Sequence, residues 1–122
     1  MVYQFILEGE VPGKKNNVKF NSQTKMTYKT KRFTEWHKYA VATIMSQKQQ
    51  TKPVEECEVH INLIHGDLRR RDCDNATASI MDLLTDCKII TDDNWKVVQD
   101  IHISNTYEKG KARCFITVLD KN

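Results

Sequence analysis

The densest group of chemically capable side chains in this 122-residue chain runs Arg69-Arg70-Arg71-Asp72-Cys73-Asp74-Asn75, and a second acidic pair, Asp92-Asp93, follows it. In an extended backbone Asp72 and Asp74 project to the same side, with α carbons about 6.7 Å apart. Carboxylates held that close repel, and a shared proton or a bound cation relieves the repulsion. Hard oxygen ligands suit Mg²⁺ or Mn²⁺, which keep positions open for water and phosphate. Such a site hydrolyses phosphodiesters by activating water and neutralising charge in the transition state. The three arginines lie where guanidinium groups can clamp phosphates bidentately. The same acidic residues also suit helix capping, with Asp74 or Asn75 as the cap, or plain solvated charge.

The elements around these residues decide whether they can meet. From Ala76 the pattern is helical, with Ala76, Ile80, Leu83, Leu84 and Cys87 on one stripe. A helix over residues 76–87 is about 18 Å long. Six extended residues, Lys88 to Asp93, cover at most about 20 Å. Asp93 can therefore return to the helix start if Ile89-Ile90-Thr91 runs extended beside the helix. Upstream, residues 2–8 and 57–63 alternate as half-buried strands, and residues 18–28 suit a short hairpin. A helix over roughly residues 30–49 carries Phe33, Trp36, Ala40 and Ile44 on one stripe and stops before Pro53. Residues 96–106 and 112–119 read as two strands joined in a hairpin through Glu108-Lys109-Gly110-Lys111. Helices and strands interleave without strict alternation. The expected class is α+β, a small mixed and largely antiparallel sheet packed with two main helices, in one domain over residues 1–122.

Composition removes other classes. With 4 Gly, 2 Pro and 39% hydrophobic residues the chain is neither fibrous nor disordered. No apolar run approaches the ~20 residues of a membrane helix, and the N-terminus lacks the pattern of a signal peptide, so a cytoplasmic protein with no membrane partner is expected. Residues 1–52 hold ten basic and three acidic side chains, and residues 53–122 hold nine and thirteen. A basic half beside an acidic half suits a polyanion-binding surface next to carboxylates. Cys57, Cys73, Cys87 and Cys114 show no CxxC spacing and read as reduced thiols. Zinc at Cys57, His60, His65 and Cys73 is rejected, because Cys57 and His60 face opposite sides of a strand. A calcium loop from Asp72 would place Thr77 at its sixth position and Leu83 at its twelfth, which excludes it. Cys73 between two carboxylates is a poor nucleophile. The four histidines carry no spacing signal.

Arg69-Arg70-Arg71-Asp72-Cys73-Asp74-Asn75, Asp82 and Leu84 in the helix, and Asp92-Asp93 after it closely resemble the RusA family of Holliday junction resolvases. Val11-Pro12-Gly13-Lys14-Lys15-Asn16-Asn17 is similar to that family's N-terminal proline and asparagine loop. The likeness spans nearly the whole chain. It implies a homodimeric, Mg²⁺-dependent endonuclease, with Mn²⁺ able to substitute, that nicks four-way DNA junctions symmetrically in recombination and repair. It implies Asp72, Asp74 and Asp93 as the catalytic, metal-binding residues, with Asp92 in support. Arg69, Arg70, Arg71, Lys14 and Lys15 are the expected DNA contacts, and branched DNA the expected partner.

Two positions depart from the family pattern. Ala78 stands where members often carry a lysine that aids catalysis or phosphate binding, and Lys88 stands where a glycine ends the helix. The first leaves Arg69, Arg71 or an N-terminal lysine to supply the charge; the second predicts a weaker helix cap. Ala78 also motivates a second reading, a catalytically weak protein that holds branched DNA. A third is a broader structure-selective nuclease.

Overall fold

A computed structural model describes residues 1–14 and 18–122. Seven residues of alternating character form strand β1 (Val2–Glu8), with Phe5 and Leu7 buried. The basic stretch after it makes an exposed antiparallel pair, β2 (Val18–Asn21) and β3 (Met26–Lys29). Helix α1 (Lys31–Gln47) starts at Thr30, whose hydroxyl accepts the Phe33 N–H, and buries Phe33, Ala40 and Ile44. Then come β4 (Cys57–His65), α2 (Cys73–Asp86), β5 (Val98–Tyr107) and β6 (Arg113–Asp120).

The main sheet has the order β1-β6-β4-β5; β4 and β5 run parallel and the other pairs antiparallel. The α+β class follows, with two helices on a mostly antiparallel sheet. Cys57, Val59, Ile61 and Leu63 of β4 face α2's Ile80, Leu83 and Leu84 within one apolar core. Gln47 closes the free edge of β1, donating to the Ile6 carbonyl and accepting its N–H, both at 2.9 Å. Among the described residues no helix is long and apolar enough to cross a membrane.

Two expectations need correction. Residues 98–107 and 113–120 do not form a hairpin, because β4 lies between them. Their connection crosses the end of β4, where Glu108 N–H donates to His65 and Gly110 N–H to Gly66. Gly66 suits this crossing, since a Cβ there would lie 3.1 Å from the Ala112 amide nitrogen, a tight contact with backbone. Alternating hydrophobicity reports which face of a strand is buried and not which strand lies beside it. The second correction is that α2 begins at Cys73, a turn earlier than the apolar stripe. Asp72 is its N-cap residue, and Asp74 lies in its first turn, so the extended geometry expected for Asp72 and Asp74 is not formed.

Candidate functional site

The loop from β4 to α2 is braced by one carboxylate. Glu10 accepts the Gly66 N–H at 2.9 Å, faces His65 Nδ1 at 3.1 Å and pairs with Arg71 Nε at 3.4 Å. Arg71 also reaches Asp67 at 2.8 Å, and His65 Nε2 lies 2.9 Å from Asn105. The Arg71 guanidinium, with the Arg69 N–H, holds the Asp67 carboxyl down at about 2. Arg71 is thus held in place, its side chain only 23% exposed, while Arg69 and Arg70 stand 83% and 92% exposed. A cleft of about 200 Å³ lies at this corner, walled by these arginines, Asp72, Asn75 and the Val11-Pro12-Gly13 segment. That segment is fixed to the helix by the Ser79 hydroxyl, which donates to Pro12 O at 2.6 Å.

Asp72 makes no side-chain cap bond and lies 3.7 Å from Arg70 Nη2. Asp74 lies in the first turn of the helix, where the positive end of the dipole favours carboxylates. Asp93 is reached differently. After the helix, Ile89 and Ile90 run buried beside Val54, with Val54 N–H donating to Ile89 O and Thr91 N–H to Val54 O. Asp92 then accepts the Asp93 N–H at 2.8 Å and the Asn94 side-chain amide at 2.9 Å, which lowers its own pKa. Burial raises the Asp93 pKa, and the charges of Asp92 and of Asp82 on α2 add to the effect. Asp82 pairs with Lys14. Asp82 lies eight residues beyond Asp74, about 12 Å along the helix axis. Asp72 and Asp74 share one end of α2, and Asp93 lies near enough to the helix to feel the charge of Asp82. Lys15 falls outside the described residues.

The donor set suits a hard divalent ion in kind: carboxylates and one amide. Asn75 Oδ1 is buried without a hydrogen-bond partner, and the residue lines the cleft next to Asp72. Yet the set of three described His, Cys, Asp or Glu side chains with ligand atoms all within 4.8 Å is Glu58, His60 and His102; the three aspartates are not such a set.

Sequence reasoning did not find Glu10, His65 or Asn105, whose roles depend on contacts 40 to 56 residues apart. Trp95, two residues after Asp93, is 75% exposed.

The family model described as Endodeoxyribonuclease RusA matches residues 9–119. A relative from Aquifex aeolicus (strain VF5), named Crossover junction endodeoxyribonuclease RusA, is 28% identical over 109 residues, covering 89% of this chain and 85% of its own. With the arginine and aspartate motif at one corner of the fold and the match running through both helices, four strands completely and β6 but for its last residue, the chain belongs to the RusA endodeoxyribonuclease family.

Proposed function

We propose that this chain, as a single catalytic domain, resolves four-way DNA junctions by paired symmetric nicks, as a homodimer and with Mg²⁺ or Mn²⁺. The observation that carries the reading is one corner where exposed Arg69 and Arg70 stand beside Asp72 and Asp74 at the start of α2. The name of the Aquifex relative supports the junction as substrate.

Asp72, Asp74 and Asp93 are the residues that would hold the ion, with Asp92 fixing the turn that presents Asp93. Bound there, a hard divalent ion supplies a more acidic water and offsets charge on the phosphate. Arg69 and Arg70 grip phosphates, and Arg71 keeps their loop in place from behind. Lys14 reaches α2 at Asp82, one turn beyond Ala78 on the same face. It brings an ammonium group to the helix face that lacks the family lysine. A two-fold dimer would present one such site to each of two strands of a junction with approximate two-fold symmetry. With DNA as substrate, the proposed place of action is the cytoplasm.

The test is a labelled four-way junction incubated in Mg²⁺ or in EDTA with wild type, Asp72→Asn and Asp93→Asn. Residues that merely support a ligand cost about 10–100-fold when lost, so each aspartate variant should lose at least about 100-fold in cleavage. Junction binding should be retained. Cleavage that persists in either variant overturns the ligand assignment. Binding by wild type without nicks favours the second reading, a weak branched-DNA binder, which Ala78 motivates. Equal cutting of junctions and linear duplex favours a broader nuclease.

A further inference from the structure

We propose that Glu58, His60 and His102 form a second metal site, for a transition-metal ion of the Zn²⁺ class, on the sheet face opposite the helices. The parallel ladder places His60 of β4 directly beside His102 of β5. Glu58 precedes His60 by two residues and so shares its face. The two imidazole rings stack with centroids 4.4 Å apart and planes at 16°. Their Nε2 atoms converge on a single oxygen, Glu58 Oε1, at 2.8 and 2.9 Å.

Ligands at about 2.0–2.2 Å from a tetrahedral ion lie about 3.3 Å from one another, so modest outward adjustment admits the ion. Three protein ligands leave a fourth position for water. The side chains are 30% (Glu58), 38% (His60) and 57% (His102) exposed, which keeps the position accessible to solvent ions. Asp100, the ladder neighbour of Glu58, is drawn aside by Lys121 at 3.1 Å and does not compete.

The donor chemistry separates this site from the aspartate corner. Imidazole nitrogen selects Zn²⁺, Co²⁺, Ni²⁺ or Cu²⁺, whereas Mg²⁺ prefers oxygen alone. The location separates them too, because β4 carries the cluster near its start and leads into the arginine loop after its last residue, His65. Strand β5 is exposed along nearly its whole length at the sheet edge, and an ion held by both strands pins that edge to β4. The inference does not depend on the junction-cleavage reading.

The experiment titrates Co²⁺ into EDTA-treated, dialysed full-length protein, follows the visible ligand-field absorption, and then displaces Co²⁺ with Zn²⁺. One Zn²⁺-displaceable ion per chain is expected, unchanged by excess Mg²⁺ and unchanged in the Asp72→Asn/Asp93→Asn double variant. His102→Gln should weaken binding at least about 100-fold. Glu58→Gln, which keeps the side-chain shape, is the second variant, and circular dichroism verifies that each is folded. Zn²⁺ should also raise the melting temperature of wild type and not of His102→Gln. Absence of binding in wild type, unchanged affinity in the folded variants, or loss of binding in the aspartate double variant would overturn the proposal.

Discussion

Helix α2 has an acidic pair near each end, and the two ends are finished in opposite ways. At the start, the Asp72 side chain makes no cap bond and lies 3.7 Å from Arg70, the Asp72 carbonyl accepts the Asn75 N–H, and Asp74 follows in the first turn. At this end the Glu10, Arg71 and Asp67 brace fixes the loop. At the other end the backbone closes on itself. Lys88 N–H donates to Thr85 O at 3.1 Å and Ile89 N–H to Leu84 O at 2.9 Å, the two bonds of a Schellman motif. Lys88 takes φ 60° to make them, and Ile89 and Ile90 are fully buried after it. One end carries exposed arginines on a braced loop, and the other is a backbone seal from which the chain runs on toward Asp93.

The sharpest way to break this comparison is to treat the three arginines separately. Arg71→Ala removes a charge-assisted bond to Asp67 and leaves Glu10, 19% exposed, without its guanidinium partner. Charge-assisted bonds are stronger than neutral ones, and solvent screening at the exposed Asp67 reduces the loss. The urea midpoint of Arg71→Ala should fall accordingly. Arg69→Ala and Arg70→Ala should leave that midpoint unchanged. The double variant should weaken junction binding and flatten the plot of log affinity against log salt by about 2, near 0.9 for each lost phosphate contact. A stable Arg71→Ala beside an unstable Arg69→Ala would reverse the roles of brace and hand.

Much of this architecture was legible in the residues, for reasons that also explain the failures. The strand at residues 2–8, both helical stripes and the buried side of β4 follow from periodicity, because burial repeats every 2 or 3.6 residues. The weaker cap expected from Lys88 is met by a complete motif that the lysine enters at positive φ. Pairing between strands leaves no periodic trace, so the β5–β6 hairpin was expected and the β4–β5 parallel ladder was not. That one error hid the histidine cluster, because His60 and His102 are 42 residues apart and meet only through that ladder. The rejection of zinc at Cys57 and His60 stands, since Cys57 is in the core; the partners of His60 lie on its own face. Asp82 shows the converse. The resemblance marked it, and the structure gives it Lys14 as a partner and sets its charge against the ionisation of Asp93.

Relieving the strained residue sharpens the picture of the sealed end. A non-glycine residue in the left-handed region costs about 1–2 kcal/mol. Lys88→Gly removes that cost, loses a favourable cation near the helix C-terminus worth about 0.3–1 kcal/mol, and enlarges the unfolded ensemble. The net expected gain is about 0.2 kcal/mol, read as a slightly higher urea midpoint. Cleavage should be unchanged, because the seal keeps its bonds and Asp93 its place. A loss of stability would mean that the lysine charge outweighs its backbone strain.

The smallest effect distinguishes the two ends by sign. Asp67 has a folded pKa of about 2 against an ordinary 3.8, so its charged form is favoured in the native state. Its stabilisation is present above about pH 4 and disappears as pH falls through about 2. Asp93 is shifted the other way, by burial first and by Asp92 and Asp82 after it. Its charge opposes folding, and that cost develops as pH rises through the ordinary value and is complete above the raised one. Asp67→Asn should therefore lower the urea midpoint at pH 7, and the deficit should close on acidification toward pH 2. Asp93→Asn should raise the midpoint at pH 7, and its advantage should vanish below the ordinary carboxylate range. Opposite signs from one substitution type place an electrostatic cost at Asp93, partly buried and opposed by the charges of Asp92 and Asp82, and electrostatic support at the braced loop. Equal signs would dissolve the distinction between them.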